Sequence, residues 1–218
     1  ITQYIKGFNP NARIFYYHYP YAKAEIDCEV PKEYDLVFFA NLTKAKGLED
    51  LIDAIYILKN KRPDISLLIM GKGEKNYVKY INQKIEDLGI TSNIVLKGFI
   101  PSQEKMLKEA VKAKISVLPT YNDTIPGTIV ESMHLRLPVI TYEVGGNPDL
   151  NIDDERIVLV EKGDVEGLAI EINRLLSDEQ RQKVLAKKAY DYASTEFDNA
   201  NSIEKLILAY RQIIRETK

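Results

Sequence analysis

Short runs of apolar residues alternate along the chain with segments in which apolar residues recur every three or four positions. The short runs, each bounded by turn residues, are Leu36–Ala40, Ser66–Met70, Asn93–Lys97, Ile115–Pro119, Val139–Tyr142 and Ile157–Val160. Runs of this length predict buried parallel strands, and the intervening spacing, as in Leu48, Leu51 and Ile55, predicts helices. The alternation predicts an α/β fold, a doubly wound, Rossmann-like parallel sheet of about six strands with helices on both faces.

The two ends of the chain depart from this alternation. Residues 1–33 contain X-Pro breaks that favour an interdomain linker or crossing segment over a core element, namely Asn9-Pro10, Tyr19-Pro20 and Val30-Pro31. Residues 34–177 hold the alternating strands and helices and form the predicted Rossmann-like domain. Residues 178–218 predict further helices, broken near Ser194–Asp198, and we expect the apolar face of the last helix to dock on a lobe outside this sequence.

Composition narrows the class of protein. The 218 residues carry a formal charge of −2 and 45% hydrophobic residues, which is ordinary for a globular protein and predicts no nucleic-acid partner. No apolar run approaches the roughly 18 residues that a membrane-spanning helix needs. The single cysteine, Cys28, excludes an intrachain disulfide and favours a reducing compartment, so we expect a cytoplasmic protein. The chain starts at Ile1 rather than at a methionine, which indicates an excised fragment.

The segment from Asp123 to Val139 carries the most chemical information. It places two carboxylates, Asp123 and Glu131, on either side of a Pro-Gly turn that opens a helix predicted to start at Thr128. Backbone amides at the N-terminus of a helix attract anions such as a diphosphate, and Gly127, which has no side chain, lets a ligand approach the main chain closely. Glu131, one turn inside the helix, can accept hydrogen bonds from vicinal hydroxyls of the ligand. The segment therefore fits a sugar nucleotide. A second interpretation stays open, because Thr128-x-x-Glu131 also matches a capping box and loop aspartates are often solvated.

Loops that follow the predicted strands are expected to meet at one edge of the sheet, where open parallel sheets bind ligands. These loops contain Lys46-Gly47, Gly71-Lys72-Gly73, Gly98-Phe99-Ile100 and Val144-Gly145-Gly146. Lys46 stands at the mouth of a helix, where a cation can neutralise phosphate. Each glycine cluster alone is a common turn former, and neither Gly71-Lys-Gly73 nor Gly145-Gly146 matches G-x-G-x-x-G or a P-loop. The evidence for a ligand site is that all of these loops are expected at the same edge of the sheet.

These residues together resemble a known family. The stretch Asn41–Asp149 is similar to the C-terminal, nucleotide-sugar-binding lobe of GT-B retaining glycosyltransferases of the glycosyl transferases group 1 type, and the resemblance covers roughly residues 34–215. Its most specific part is the two carboxylates with seven residues between them, followed by Ser132-Met133 and Leu137-Pro138-Val139-Ile140. Lys46-Gly47 and Gly145-Gly146 support it, because both occur in the expected order and at the expected spacing.

The resemblance implies a role for each matching residue. Glu131 would hold the ribose of the nucleotide, and Asp123 would lie beside the hydroxyls of the transferred sugar. The backbone amides of Gly127 and Thr128, together with Lys46, would hold the diphosphate. The function implied is the donor-binding half of a retaining enzyme that moves a sugar from a nucleoside-diphosphate sugar to an acceptor in polysaccharide or glycolipid biosynthesis.

The resemblance says less about which residues bind the nucleotide base and the acceptor. Phe99 and Ile100 would contact the base, largely through main-chain atoms. The resemblance also implies an N-terminal acceptor-binding lobe, which this sequence lacks, so we assign no catalytic residue here and expect the fragment alone to be inactive. The resemblance also allows the full-length protein to associate peripherally with a membrane.

The sequence departs from the family pattern at two positions. The first acid of the pair is usually glutamate and is Asp123 here, shorter by one methylene, so its contact to sugar can be lost or altered. Relatives usually carry an arginine five residues before the phosphate-binding lysine, and this chain has Asn41, which donates hydrogen bonds but brings no charge. Lys44 and Lys72 are nearby cations that can compensate, although exposed lysines are common.

The expected chemistry is stabilisation of the departing nucleoside diphosphate by cations and amide dipoles. No Asp-x-Asp pair follows a strand as in metal-dependent glycosyltransferases, so we expect no metal and no cofactor. Neither His18 nor His134 has an evident catalytic partner. Two alternatives stay open, a GT-B lobe that binds sugar nucleotide without turnover, and a different enzyme such as a sugar-nucleotide epimerase or a dinucleotide-dependent enzyme.

Overall fold

The computed structural model describes residues 2–15, 19, 21 and 24–216, so the position of His18 lies outside the described residues. The strands begin and end within two residues of the predicted runs and are β1 Tyr34–Phe39, β2 Leu67–Met70, β3 Ile94–Gly98, β4 Ala113–Leu118, β5 Val139–Tyr142 and β6 Val158–Val160. The helices of the described chain are α1 Thr2–Phe8, α2 Leu48–Lys59, α3 Lys75–Asp87, α4 Gln103–Ala110, α5 Gly127–His134, α6 Val165–Leu176, α7 Glu179–Glu196 and α8 Asn199–Glu216.

The six strands form one parallel sheet in the order β3-β2-β1-β4-β5-β6. Leu36 of β1 stands opposite Leu67 of β2 on one side and Ile115 of β4 on the other. The strand order reverses between β1 and β4, and a reversal of this kind leaves a crevice beyond the carboxyl ends of the two strands. The predicted doubly wound, Rossmann-like sheet is confirmed.

Burial differs among the strands of the sheet. The side chains of β2 and β5 are buried throughout, as the continuous apolar runs predicted. The prediction is wrong for β3, in which Val95 and Leu96 are 38% and 36% exposed. β3 is one of the two edge strands of the sheet, and the other, β6, is largely buried, so the exposure is specific to β3.

One face of the sheet is covered by α4 and by a segment that precedes the first strand. Val37 and Phe39 of β1 pack there with Leu107 of α4, and the partly buried side chains of Ile26 and Cys28 pack against the same cluster. Residues 24–30 thus belong to the core of this unit, although they lie within the predicted linker.

The chain divides into two compact units by its contacts, Lys23–Ala193 and Ile1–Ala22 with Ser194–Lys218. The sheet lies in the first of these. The second contains α1, the end of α7 and α8, so the predicted break near Ser194–Asp198 is found between α7 and α8. Ile207, Tyr210 and Ile213 of α8 are between 41% and 60% exposed, and their docking on a further lobe stays a prediction, as do the predicted domain boundaries.

Within the described chain, none of the helices combines the length and the apolar character needed to cross a bilayer.

Candidate functional site

A cavity of about 270 Å³ opens at the carboxyl edge of the sheet, beside the point where the strand order reverses. Its walls come from the ends of three neighbouring strands and from two helices, with lining residues Phe39, Ala40, Asn41, Lys46, Gly71, Lys72, Phe99, Ile100, Met106, Thr128 and Glu131. The loops after β1, β2 and β3 therefore share one edge, as the sequence predicted. Six of the predicted site residues line this cavity, namely Asn41, Lys46, Phe99, Ile100, Thr128 and Glu131.

One end of the cavity is formed by the first turns of α4 and α5. Glu131 is 8% exposed, and its Oε1 accepts a hydrogen bond of 2.7 Å from Nε2 of Gln103. The bond from the neutral side chain of Gln103 holds this carboxylate oxygen in place. A buried carboxylate at a cavity wall is a ready acceptor for a ligand hydroxyl.

The capping-box interpretation of this helix is wrong. α5 begins at Gly127, one residue earlier than predicted, and Pro126 occupies the N-cap position. The hydroxyl of Thr128 donates to the main-chain oxygen of Phe39 at 3.0 Å, which ties α5 to the end of β1. The first amides of a helix have no acceptor within the helix and carry partial positive charge, so Gly127 and Thr128 present this end of α5 as an anion site.

At the other end of the cavity, the lining residue Lys46 pairs with Asp123, which is not itself part of the lining. Nζ of Lys46 lies 2.6 Å from Oδ2 of Asp123, with the two side chains 23% and 21% exposed. The buried hydroxyl of Thr120 also donates to Oδ2 of Asp123, at 2.7 Å. The sequence assigned Lys46 and Asp123 to different parts of a ligand, and the structure joins them directly. A phosphate that uses Lys46 must therefore share it with Asp123 or displace Asp123.

Glycines allow the loops at this end to pack closely. Gly145 has φ of +56°, and a Cβ there would stand 1.6 Å from the main-chain oxygen of Asp123. The neighbouring Gly146 donates its N–H to the oxygen of Thr124 at 2.6 Å. Gly47 has φ of +73°, and a Cβ there would stand 1.8 Å from the oxygen of Pro119. The Gly145-Gly146 loop thus holds the Asp123 segment in place.

A tyrosine network connects the same loop to α2. The hydroxyls of Tyr121 and Tyr142 each donate to Oδ2 of Asp50 at 2.6 Å. The bond to Asp50, assisted by burial and by nearby negative charge, raises the pKa of Tyr121 to about 12. Burial, followed by the bond to Asp50, raises the pKa of Tyr142 as well. Both phenols remain protonated donors at neutral pH and fix Tyr121 two residues before Asp123.

Three residues that shape the site were missed by the sequence analysis. Thr120 lies two residues after the end of β4, so its place at the carboxyl end of a strand was a usable signal. Gln103 and Asp50 lie in the first turns of α4 and α2, where polar residues are common, and no sequence signal distinguishes them. Of the two candidate compensating cations, Lys72 lines the cavity, whereas Lys44 is exposed and is absent from the lining.

No group of three or more His, Cys, Asp or Glu side chains arranged for metal binding occurs among the residues that the structure describes. The expectation of a metal-independent reaction stays a prediction.

The sequence profile of glycosyl transferases group 1 matches residues 25–192, which is most of the chain and includes every residue of the cavity. The chain belongs to the glycosyl transferases group 1 family. Membership supports transferase activity, and the parallel Rossmann-like sheet is that of GT-B glycosyltransferases.

Curated relatives include glycosyltransferases of capsular polysaccharide and of amylovoran biosynthesis. The chain is 24% identical over 184 residues to the glycosyltransferase CapM of Staphylococcus aureus, covering 83% of this chain and 47% of the relative. It is 29% identical over 180 residues to the amylovoran biosynthesis glycosyltransferase AmsK of Erwinia amylovora, covering 80% and 42%. This group 1 chain thus spans less than half the length of these curated relatives.

Solved structures share the fold. HepE of Anabaena, crystallised with UDP, superposes with a TM-score of 0.73 at 23% identity, covering 82% of this chain and 49% of that chain. The C-terminal domain of LpcC, a group 1 glycosyl transferase of Francisella tularensis, superposes with a TM-score of 0.70 at 25% identity. In that comparison 83% of this chain and 96% of the other are covered, so this group 1 chain corresponds in extent to an isolated C-terminal domain.

Proposed function

We propose that this chain is the donor-binding half of a retaining, metal-independent glycosyltransferase. The full-length enzyme would move a hexose-type sugar from a nucleoside-diphosphate sugar to an acceptor in polysaccharide or glycolipid biosynthesis. Its acceptor would bind to an N-terminal lobe, and this chain alone would bind donor without transferring sugar. The lone Cys28 supports a reducing, cytoplasmic setting, in which the complete enzyme can also attach peripherally to a membrane.

The observation that carries the proposal is the polarity of the cavity. A buried carboxylate, Glu131, stands one turn inside α5, and the helix entrance with Lys46 and Lys72 supplies positive character nearby. A nucleoside diphosphate has the same order of groups, since its ribose hydroxyls donate hydrogen bonds and its diphosphate is anionic. The volume of about 270 Å³ lies just below the roughly 300–1,000 Å³ of complete small-molecule sites, which fits part of a donor.

Relatives support the choice of ligand. HepE of Anabaena has been crystallised with UDP, with UDP and glucose, and with UDP-glucose, and it shares the fold of this chain. We propose that the same class of ligand occupies the cavity here, with the base against Phe99 and Ile100, the ribose on Glu131, and the diphosphate on Lys46 and the amides of Gly127 and Thr128.

In this proposal the protein accelerates transfer by stabilising the leaving group. Cleavage of the bond between sugar and phosphate places negative charge on the nucleoside diphosphate, and preorganised cations and amides lower the barrier to that charge separation. Lys46 lines the cavity and would take this role as the diphosphate competes with Asp123 for its charge. Lys72 lines the same cavity and supplies charge that Asn41 does not.

Isothermal titration calorimetry of the chain with UDP, GDP, ADP and NAD tests the choice of ligand. We expect one nucleoside diphosphate to bind at least about tenfold more tightly than NAD, because its terminal phosphate carries a negative charge that the diester-linked phosphates of NAD lack, and one charge-assisted contact is worth roughly 1.5–3 kcal/mol. Tighter binding of NAD than of all three diphosphates would contradict the proposal and favour a dinucleotide-dependent enzyme.

A lobe that binds sugar nucleotide without turnover is the second candidate. It is favoured by the uncharged Asn41 and by the engagement of Lys46 with Asp123, since both lower the positive charge available to a leaving group. The full-length protein distinguishes the two candidates. Release of nucleoside diphosphate that depends on an added acceptor supports the enzyme, and donor binding without acceptor-dependent release supports the non-catalytic lobe.

A further inference from the structure

A second cavity, of about 520 Å³, opens at the opposite edge of the sheet, where the strands begin. Lys32 precedes β1, Lys114 is the second residue of β4, and Arg136 and Pro138 precede β5. The facing wall is one side of α7, which contributes Lys183 among others. This groove shares no lining residue with the candidate donor site and is not used by the proposed function.

The groove carries an excess of positive charge. Five cationic side chains line it, Lys32, Lys114, Arg136, Lys183 and Lys187, against two carboxylates, Glu29 and Glu179. Two of the cations have acidic partners outside the lining, since Lys114 pairs with Asp35 and Lys187 pairs with Asp191. The lining retains positive charge after both pairs are taken into account.

Lys32 and Arg136 make contacts that leave their charge unbalanced. Nζ of Lys32 donates to the main-chain oxygen of Val111 at 2.7 Å, and the guanidinium carbon of Arg136 lies 3.8 Å from the ring centroid of Tyr190. A carbonyl and an aromatic ring hold a cation without neutralising it. Burial lowers the pKa of Lys32, only partly offset by the nearby Cys28 and Glu29, so an added anion would relieve a desolvated charge.

The backbone at Arg136 is strained. Arg136 has φ of +55° and is the single non-glycine residue with positive φ in the part of the chain that the structure describes. It follows the end of α5 at a position where glycine is the usual residue, because a Cβ atom is unfavourable in that backbone conformation. An arginine in place of glycine keeps a guanidinium at the wall of the groove.

We propose that this groove is a binding site for a small phosphate-bearing anion. Lys32, Arg136 and Lys183 would contact the phosphate group, because they are the lining cations for which the structure gives no carboxylate within ion-pair distance among the described residues. Pro138, Leu176 and Ala186 give the groove apolar walls that suit an organic portion of the ligand. Its volume lies within the roughly 300–1,000 Å³ of small-molecule sites.

Cys28 provides a reporter for this groove, because it lines the cavity and is the only cysteine of the sequence. The experiment measures the rate at which Cys28 reacts with an anionic and with a cationic methanethiosulfonate reagent at one pH and low salt. We expect the anionic reagent to react on the order of tenfold faster, because a positively charged cleft concentrates anions. Inorganic pyrophosphate should slow that reaction. Equal rates for the two reagents, or protection by neither pyrophosphate nor anionic lipid vesicles, would overturn the proposal.

Variants test which residues cause the rate difference between the two reagents and the protection of Cys28. The double variant Arg136→Gln with Lys183→Gln should remove both the rate difference and the protection, whereas Lys79→Gln, an exposed lysine of α3, should preserve both. Because Arg136→Gln keeps a side chain at positive φ, Arg136→Gly with Lys183→Gln serves as the version without strain, and thermal melting checks that each variant folds. Protection that persists in Lys46→Ala separates this groove from the donor site. Protection that vanishes in Lys46→Ala would overturn the proposal.

Two further measurements distinguish a soluble phosphate compound from a lipid headgroup as the ligand. Protection by free pyrophosphate at low concentration identifies a soluble ligand. Protection by vesicles containing phosphatidylglycerol, but not by phosphatidylcholine vesicles, identifies a lipid headgroup. Failure of both arms to protect Cys28 would contradict the assignment.

Discussion

The two ends of the cavity at the carboxyl edge of the sheet are built in different ways. The end that holds Glu131 rests on the first turns of α4 and α5, and its carboxylate is fixed by the neutral side chain of Gln103. The end that holds Lys46 and Asp123 rests on loops that can approach one another only because Gly47 and Gly145 lack side chains. Placement at the first end depends on helix geometry, and placement at the second end depends on loop packing.

The two ends also differ in how their charged side chains are held. Glu131 is buried and accepts a hydrogen bond from the neutral side chain of Gln103, so its carboxylate is already held at the cavity wall before a ligand arrives. Lys46 and Asp123 neutralise each other in a partly exposed pair, and pairs of that kind contribute only about 0–1 kcal/mol. A diphosphate can therefore compete for Lys46 at modest cost.

Gly145→Ala should have the largest effect, a loss of stability that arises at the loop-built end. The added Cβ would meet the main-chain oxygen of Asp123 at 1.6 Å on a residue with positive φ, so we expect unfolding to become easier by about 2–4 kcal/mol. Chemical denaturation measures this loss. Gly163→Ala is the matched control, because φ is +81° there but the nearest atom to the new Cβ is the Tyr121 hydroxyl at 3.7 Å. A loss no larger than that of the control would refute the role given to loop packing.

Lys46→Ala should have the next largest effect, on diphosphate binding. Removal of a charge-assisted contact of roughly 1.5–3 kcal/mol should weaken UDP binding about 10- to 100-fold and leave uridine binding unchanged. Calorimetry with both ligands measures the difference. Lys44→Ala, which removes an exposed lysine outside the cavity, should change neither affinity by more than about twofold. Equal weakening of UDP and uridine would place the effect away from the diphosphate.

Glu131→Gln should weaken UDP and uridine alike, by about tenfold. The substitution keeps the size of the side chain but removes the charge that strengthens its bonds to ribose hydroxyls, a difference of about 1–1.5 kcal/mol. The comparison of UDP with 2′,3′-dideoxy-UDP gives the measurement, since the preference of the variant for UDP should be about tenfold smaller than that of the unchanged chain. Glu104→Gln in the same turn as Gln103 is the control. An undiminished preference for the ribose hydroxyls in Glu131→Gln would assign ribose recognition to another residue.

Asp123→Asn should have the smallest effect and the opposite sign. Loss of the carboxylate frees the charge of Lys46, so UDP should bind about threefold more tightly, in keeping with the small energy of a partly exposed pair. The gain should disappear in 0.5 M salt, where charge interactions are screened. Weaker UDP binding by Asp123→Asn would show that Asp123 positions Lys46 more than it neutralises it.

The sheet was predictable because its signals are local. Apolar runs bounded by turn residues located all six strands, and only the exposure of edge strand β3 differed from the prediction. The gathering of Lys46, Phe99 and Glu131 at one cavity followed from the rule that parallel strands end at the same edge. The pairing of Lys46 with Asp123, and of Gln103 with Glu131, was not predictable, since each joins side chains from different loops or helices.

The crystal structure of the chain with bound UDP tests the central assignment most directly. The account predicts the diphosphate within hydrogen-bonding distance of Lys46 and of the first amides of α5, and the ribose hydroxyls on the carboxylate of Glu131. UDP bound elsewhere, or a ribose that leaves the contact between Gln103 and Glu131 untouched and makes none of its own to Glu131, would contradict it.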